Sequence, residues 1–88
     1  SSGPSLQERW AERRGEALEA VSEALRKGHW TGEPAEELGR IVHKLAGTAG
    51  MFGEDELGRR ASELDRALQS ESSDTERSEL AERLLRAA

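Results

Sequence analysis

An all-α fold, an antiparallel up-down-up-down four-helix bundle, is what this sequence predicts, and three observations predict it. Ala, Leu, Glu and Arg dominate the 88 residues, and all four are favourable in helices. Apolar residues recur three and four positions apart in four separate runs, the signature of amphipathic helices. Between the runs lie short segments rich in Gly and Ser, and short connections make neighbouring helices antiparallel. Strands are disfavoured, because Tyr is absent, Phe occurs once and no alternating β-branched or aromatic run is present.

The first helix starts at Ser5-Leu6-Gln7-Glu8, which has the Ser-x-x-Glu spacing of a capping box. Trp10, Ala17, Leu18, Val21, Ala24 and Leu25 form its apolar stripe, and Gly28 ends it. His29-Trp30-Thr31-Gly32 reads as the first loop. Pro34 suits the first turn of the second helix, with Glu36 and Glu37 beside its N-terminal dipole. Leu38, Ile41, Val42, Leu45 and Phe52 form the second stripe, and Gly53 is its stop. Glu54-Asp55-Glu56 supplies the acidic first turn of a third helix, whose seam is Leu57, Ala61, Leu64 and Leu68. Ser70 to Ser73 is the next loop. Ser73 with Glu76 reads as a second capping box, opening a fourth helix lined by Leu80, Leu84 and Leu85.

Several function classes are excluded or disfavoured at this level. The absence of cysteine removes disulfides, thiolate zinc sites and a Cys nucleophile, and fits a cytoplasmic location. The net charge of −5 argues against nucleic acid or anionic lipid as the main partner. No apolar run approaches the roughly 18 residues that a membrane span requires. Residues 5–88 form one domain, and Ser1-Ser2-Gly3-Pro4 reads as a cloning scar or a disordered lead-in. Four stripes in one chain favour a monomer over a helical hairpin completed by dimerisation.

The anomaly is on the second helix. At about 100° per residue, His43 points nearly opposite the apolar stripe. Its neighbours three and four positions away are Gly39, Arg40, Ala46 and Gly47, and Gly50 follows seven positions on. Glycine in a helix interior costs roughly 0.5–1 kcal/mol relative to alanine, so a solvated face would ordinarily carry Glu, Lys or Arg. Either another helix crosses closely over the glycines, or a partner brings its own backbone up to the imidazole. Only the second account explains a histidine at the centre of the strip. His29, in a loop beside Trp30, has no such surround and reads as an ordinary polar residue.

A neutral imidazole offers a free ring lone pair for work as base, metal ligand or nucleophile. No metal site is expected, because a metal needs at least three convergent ligands and the two histidines lie on different elements. A hydrolase would need a pocket and an oxyanion site. Nucleophilic attack on a phosphoryl group needs only exposure, the right tautomer and in-line access.

The segment His43-Lys44-Leu45-Ala46-Gly47-Thr48-Ala49-Gly50-Met51-Phe52-Gly53 resembles the core motif of histidine-containing phosphotransfer (HPt) domains: His-x-Leu-Lys-Gly-Ser/Ala, a closing glycine, then a leucine-seamed helix. The resemblance spans roughly Leu38 to Leu68. It implies a four-helix bundle in which His43 accepts a phosphoryl group on Nε2 from a receiver aspartate or a histidine kinase and passes it to another receiver aspartate. The domain would be a phosphocarrier of a two-component system, not an enzyme in itself. It would hold no cofactor, and the receiver would supply the acidic pocket and Mg²⁺. Gly47 matches the glycine that leaves room for docking. Asp65, twenty-two positions after His43, stands where the family has a polar residue bonded to the ring. Its carboxylate would hold the Nδ1–H tautomer and leave Nε2 free. The docking surface would comprise Gly39, Arg40, Lys44, Ala46, Gly47 and Gly50. Ala46 departs from the pattern, since a phosphate-attracting lysine is usual there. Lys44 and Arg40 are the nearby cations that would replace it electrostatically.

Other readings share these residues. The dimerisation domain of a sensor kinase also carries a helical phosphohistidine, but usually with an acidic residue just after it, where Lys44 stands. The phospho-accepting domain of a chemotaxis kinase has the same fold and an acidic partner to the histidine. A helical adaptor that binds a receiver through the bare strip without phosphorylation is the remaining alternative.

Overall fold

The computed structural model describes residues 3–88. Its helices are α1 (Leu6–Lys27), α2 (Gly32–Ala49), α3 (Asp55–Leu68) and α4 (Asp74–Arg86), with a 3-10 turn, Gly50–Phe52, between α2 and α3. No strand occurs among the described residues. α2 packs on α1 and α3, and α4 packs on α3 and α1. The helices therefore close a ring in chain order, the connectivity of an up-down-up-down bundle.

The four stripes meet in one core. Val21 from α1, Val42 from α2, Leu57 and Leu64 from α3 and Leu84 from α4 are its largest fully buried side chains. Ile41, Phe52, Leu68, Leu80 and Leu85 pack around them half-buried. Trp30, in the α1–α2 connection, is also buried. Its carbonyl accepts from the guanidinium of Arg77, which donates in addition to the Ser70 carbonyl at 2.8 Å and to Ser72 Oγ at 2.8 Å. Arg77 thus ties α4 to both loops at that end and satisfies carbonyls that no helix serves.

The ends follow the local chemistry. Ser5 and Glu8 make the full reciprocal capping box. Gly28 (φ 67°) and Gly53 (φ 77°) are left-handed, a conformation glycine adopts without steric cost. Three details differ from the sequence reading. α2 ends at Ala49 and its last turn tightens into the 3-10 turn, so Phe52 and Gly50 lie beyond the α-helix proper. Ser73 Oγ accepts from the Glu76 amide, but the reciprocal half of that box is missing. Glu54 lies just before α3, and its carboxylate crosses to α1 instead of capping. Glu54 accepts from Trp10 Nε1 at 2.9 Å and Arg14 Nε at 2.9 Å, and Trp10 stacks on Phe52 with ring centroids 4.9 Å apart. The Arg14 guanidinium, with help from the Trp10 N–H, holds the Glu54 carboxyl below the ordinary carboxylate range.

α2 and α3 share the most extensive helix pairing. Gly58 allows the two helices to approach closely at one end of it. A Cβ built there would lie 3.4 Å from Ala49 Cβ and 3.5 Å from the Ala46 carbonyl. Small residues on both helices bring the two axes together, close enough for a short Asp side chain to reach across.

Candidate functional site

His43 projects from the middle of α2 with its side chain 74% exposed. Its Nδ1 lies 2.8 Å from Asp65 Oδ2 on α3. Asp65 is the one polar or charged residue buried among the described residues. Its second oxygen, Oδ1, accepts from Gln69 Nε2 at 2.8 Å. Placing a carboxylate at the α2–α3 seam is tolerable because both of its oxygens are bonded. An ionised carboxylate can only accept, so the contact favours a proton on Nδ1.

The glycine strip is open. A Cβ added at Gly39 or Gly47 would meet nothing within 4 Å. Gly50, in the 3-10 turn, would place its Cβ 3.5 Å from Asp55 Oδ1, an ordinary contact. No helix crosses over Gly39 or Gly47, so packing does not account for them. The close helix crossing occurs at Gly58, on the other helix.

An open groove of about 700 Å³ runs from His43 along the N-terminal half of α2, between it and the end of α3. Gly39 and Ala35 leave space on one wall, Leu68 and Gln69 form the other, and Trp30 and Arg77 close the far end. Arg40 and Lys44 line it, as do Glu36 and Asp65. The cations differ in freedom. Arg40 is paired with Glu37 one turn back, and that carboxylate holds its guanidinium more firmly protonated. The Lys44 ammonium has no ion-pair or hydrogen-bond partner among the described residues, although the Lys44 carbonyl accepts from Thr48 Oγ1. Ala46 is half-buried against the core, with its carbonyl beside Gly58.

The structure therefore brings His43 and Asp65 together and places Gly39, Arg40 and Lys44 in the groove beside them. Gly47 and Gly50 lie exposed further along α2 and its 3-10 continuation. Gln69 and Arg77 were missed from the sequence. Gln69 was accessible to it, being four residues after Asp65 on the same helix, where side chains meet. Arg77 reaches the groove only through inter-helix packing and leaves no sequence signal. His29 is half-buried in a shallow groove with Pro34, Leu38 and Ile41, apart from this site.

No cluster of three or more His, Asp or Glu side chains suited to a metal forms among the described residues. Among the described residues no helix is long and apolar enough to cross a membrane. No curated protein and no solved structure matches the chain significantly. The family model for the Hpt domain matches residues 6–88, nearly the whole chain. With four helices closed in a ring and a histidine exposed on the second, the chain belongs to the Hpt domain family, the phosphotransfer modules of two-component phosphorelays that work with receiver domains and kinases.

Proposed function

We propose that His43 is the phosphoryl-carrying residue and that the domain shuttles the group between receiver aspartates. The observation that supports this most directly is the 2.8 Å contact between Asp65 Oδ2 and Nδ1 of a ring otherwise exposed to solvent. With the proton held on Nδ1, the Nε2 lone pair attacks the phosphorus of a receiver acyl phosphate. The N–P bond forms as the bond from phosphorus to the aspartate oxygen breaks, and the aspartate leaves as a carboxylate. The developing positive charge on the ring is stabilised by Asp65. Transfer onward is the same step reversed on a second receiver. Gly39 and Gly47 give the receiver backbone room to approach in line.

The domain contributes position and no catalysis of its own. Mg²⁺ and the acidic pocket belong to the receiver. Lys44 is the cation freest to meet the phosphoryl oxygens, in place of the lysine that Ala46 lacks. The protein works in the cytoplasm as a monomer and does not bind nucleic acid. Light scattering tests the monomer: a stable dimer would instead favour the sensor-kinase dimerisation reading.

The test of the carrier is direct. Incubated with phosphorylated receivers, the wild-type domain is expected to take up acid-labile, base-stable label, and His43→Gln none. Equal labelling of the two, or no labelling by any competent receiver or kinase, would falsify the assignment. The carboxylate partner of His43 also favours a second reading, a phospho-accepting domain served by a chemotaxis-type kinase. Labelling by kinase and ATP but not by phosphorylated receivers would select it.

A further inference from the structure

We infer that Gln69 is a positioning residue for His43, acting through Asp65. The inference rests on the carrier reading for its purpose but not for its geometry.

A lone carboxylate beside a ring can turn about its terminal torsion, which is broad and weakly restrained. Asp65 is not free to do so. Gln69 Nε2 donates to Oδ1 at 2.8 Å while Oδ2 faces His43 Nδ1 at 2.8 Å, so the two contacts fix the plane of the carboxylate. The amide can only donate through its nitrogen, and an ionised carboxylate can only accept. The polarity of the chain Gln69 to Asp65 to His43 is therefore set. Oδ1 is occupied, Oδ2 remains an acceptor, and the ring proton belongs on Nδ1. The backbone supports the arrangement. Gln69 is the C-cap of α3, still in a helical conformation, and its amide bonds back to the Arg66 carbonyl. It therefore stays four residues above Asp65 on one face just before the chain leaves the helix.

Gln69 is itself exposed and contributes little to the core. It also lines the groove beside the ring. A side chain in that position can be changed with little effect on folding, so its role is separable from stability. Removing the donor leaves Oδ1 to water and lets the carboxylate rotate. The ring then samples the Nε2–H tautomer, in which the nucleophilic nitrogen is blocked.

The experiment uses the unphosphorylated full chain first. Two-bond ¹H–¹⁵N correlation spectra of the imidazoles, recorded above the pH of histidine titration, report the tautomer of His43. The wild type is expected to be predominantly Nδ1–H. Gln69→Met, close in shape but without a donor, is expected to shift the ratio toward Nε2–H and to slow phosphoryl uptake roughly ten-fold, as loss of an orienting outer partner does elsewhere. Gln69→Lys, which restores a donor of similar reach, is expected to return the ratio toward wild type. A Met variant with wild-type tautomer ratio and uptake would overturn the inference and leave the carrier reading standing. A shifted ratio in a domain that no donor phosphorylates would do the reverse: the positioning holds and the carrier reading fails.

Discussion

The middle and the C-terminal end of α2 are built on opposite terms. At the end, Trp10, Phe52, Glu54 and Arg14 interlock through a ring stack and a carboxylate shared by two donors. In the middle, His43 stands among Gly39, Gly47 and a half-buried Ala46, with no side chain over the glycines. One region gathers large side chains that fix the helices against each other. The other dispenses with them around an exposed imidazole, and leaves open space over Gly39 and Gly47. A domain of this size has only about 4–13 kcal/mol of stability at typical values per residue, so the interlocked end supports what the open strip forgoes.

Removing the centre of the interlock is the severest test of that contrast. Trp10→Ala deletes a buried ring, its stack on Phe52 and its hydrogen bond to Glu54. The expected loss is about 3–5 kcal/mol, read as a lowered urea midpoint. His43 should still accept phosphate in whatever fraction remains folded, because the ring's own partner is Asp65, which Gln69 holds in turn. Phosphoryl uptake per folded molecule that collapses along with stability would show that the two regions are not separable.

Glu54 sharpens the same point through pH. Its folded-state pKa is held down by Arg14 and Trp10. A carboxyl depressed on folding contributes stability above its unfolded pKa, and loses it as pH falls through the folded value. Glu54→Gln should therefore destabilise the domain near pH 7 by about 1.5–3 kcal/mol at most, the range for a hydrogen bond to a charged group. The gap from wild type should close progressively as the medium becomes more acidic than the ordinary carboxylate range. Denaturant titrations of both proteins at neutral and acid pH measure it, and a gap that is constant with pH would mean the charge on Glu54 does nothing.

How far the sequence foretold these regions depends on what each is made of. The stripes, the caps at Ser5, Gly28 and Gly53, and the bare strip around His43 are local patterns along one helix, and spacing alone reveals them. Asp65 as ring partner came through the family resemblance, since no single-helix rule says which residue of α3 faces His43. Contacts between helices were the hidden part. Glu54 looked like a dipole-complementing first-turn residue because its real partners lie forty and more positions back, on α1. Phe52 looked like the end of the α2 stripe, but the tightened 3-10 turn carries it onto Trp10. Gly58 is the instructive miss. An isolated glycine in a helical seam often has a packing reason, and here it is the close approach of α3 to Ala46 and Ala49.

The smallest expected effect bears on the strip itself. Gly47 lies in the interior of α2 with open space where a Cβ would go. Gly47→Ala should therefore stabilise the helix by about 0.5–1 kcal/mol, raising Tm by several degrees in a domain of this length. A single methyl one turn from His43 should leave transfer from a receiver nearly unchanged. Gly47→Arg keeps the gain in helix propensity but fills the space that a docking backbone would occupy, so transfer should fall steeply while Tm stays at or above the wild-type value. Opposite signs for stability and transfer are the signature of a residue kept for a partner's approach. If Gly47→Ala lowers Tm, the glycine serves the bundle's own packing, and the division between an interlocked end and a cleared middle does not hold.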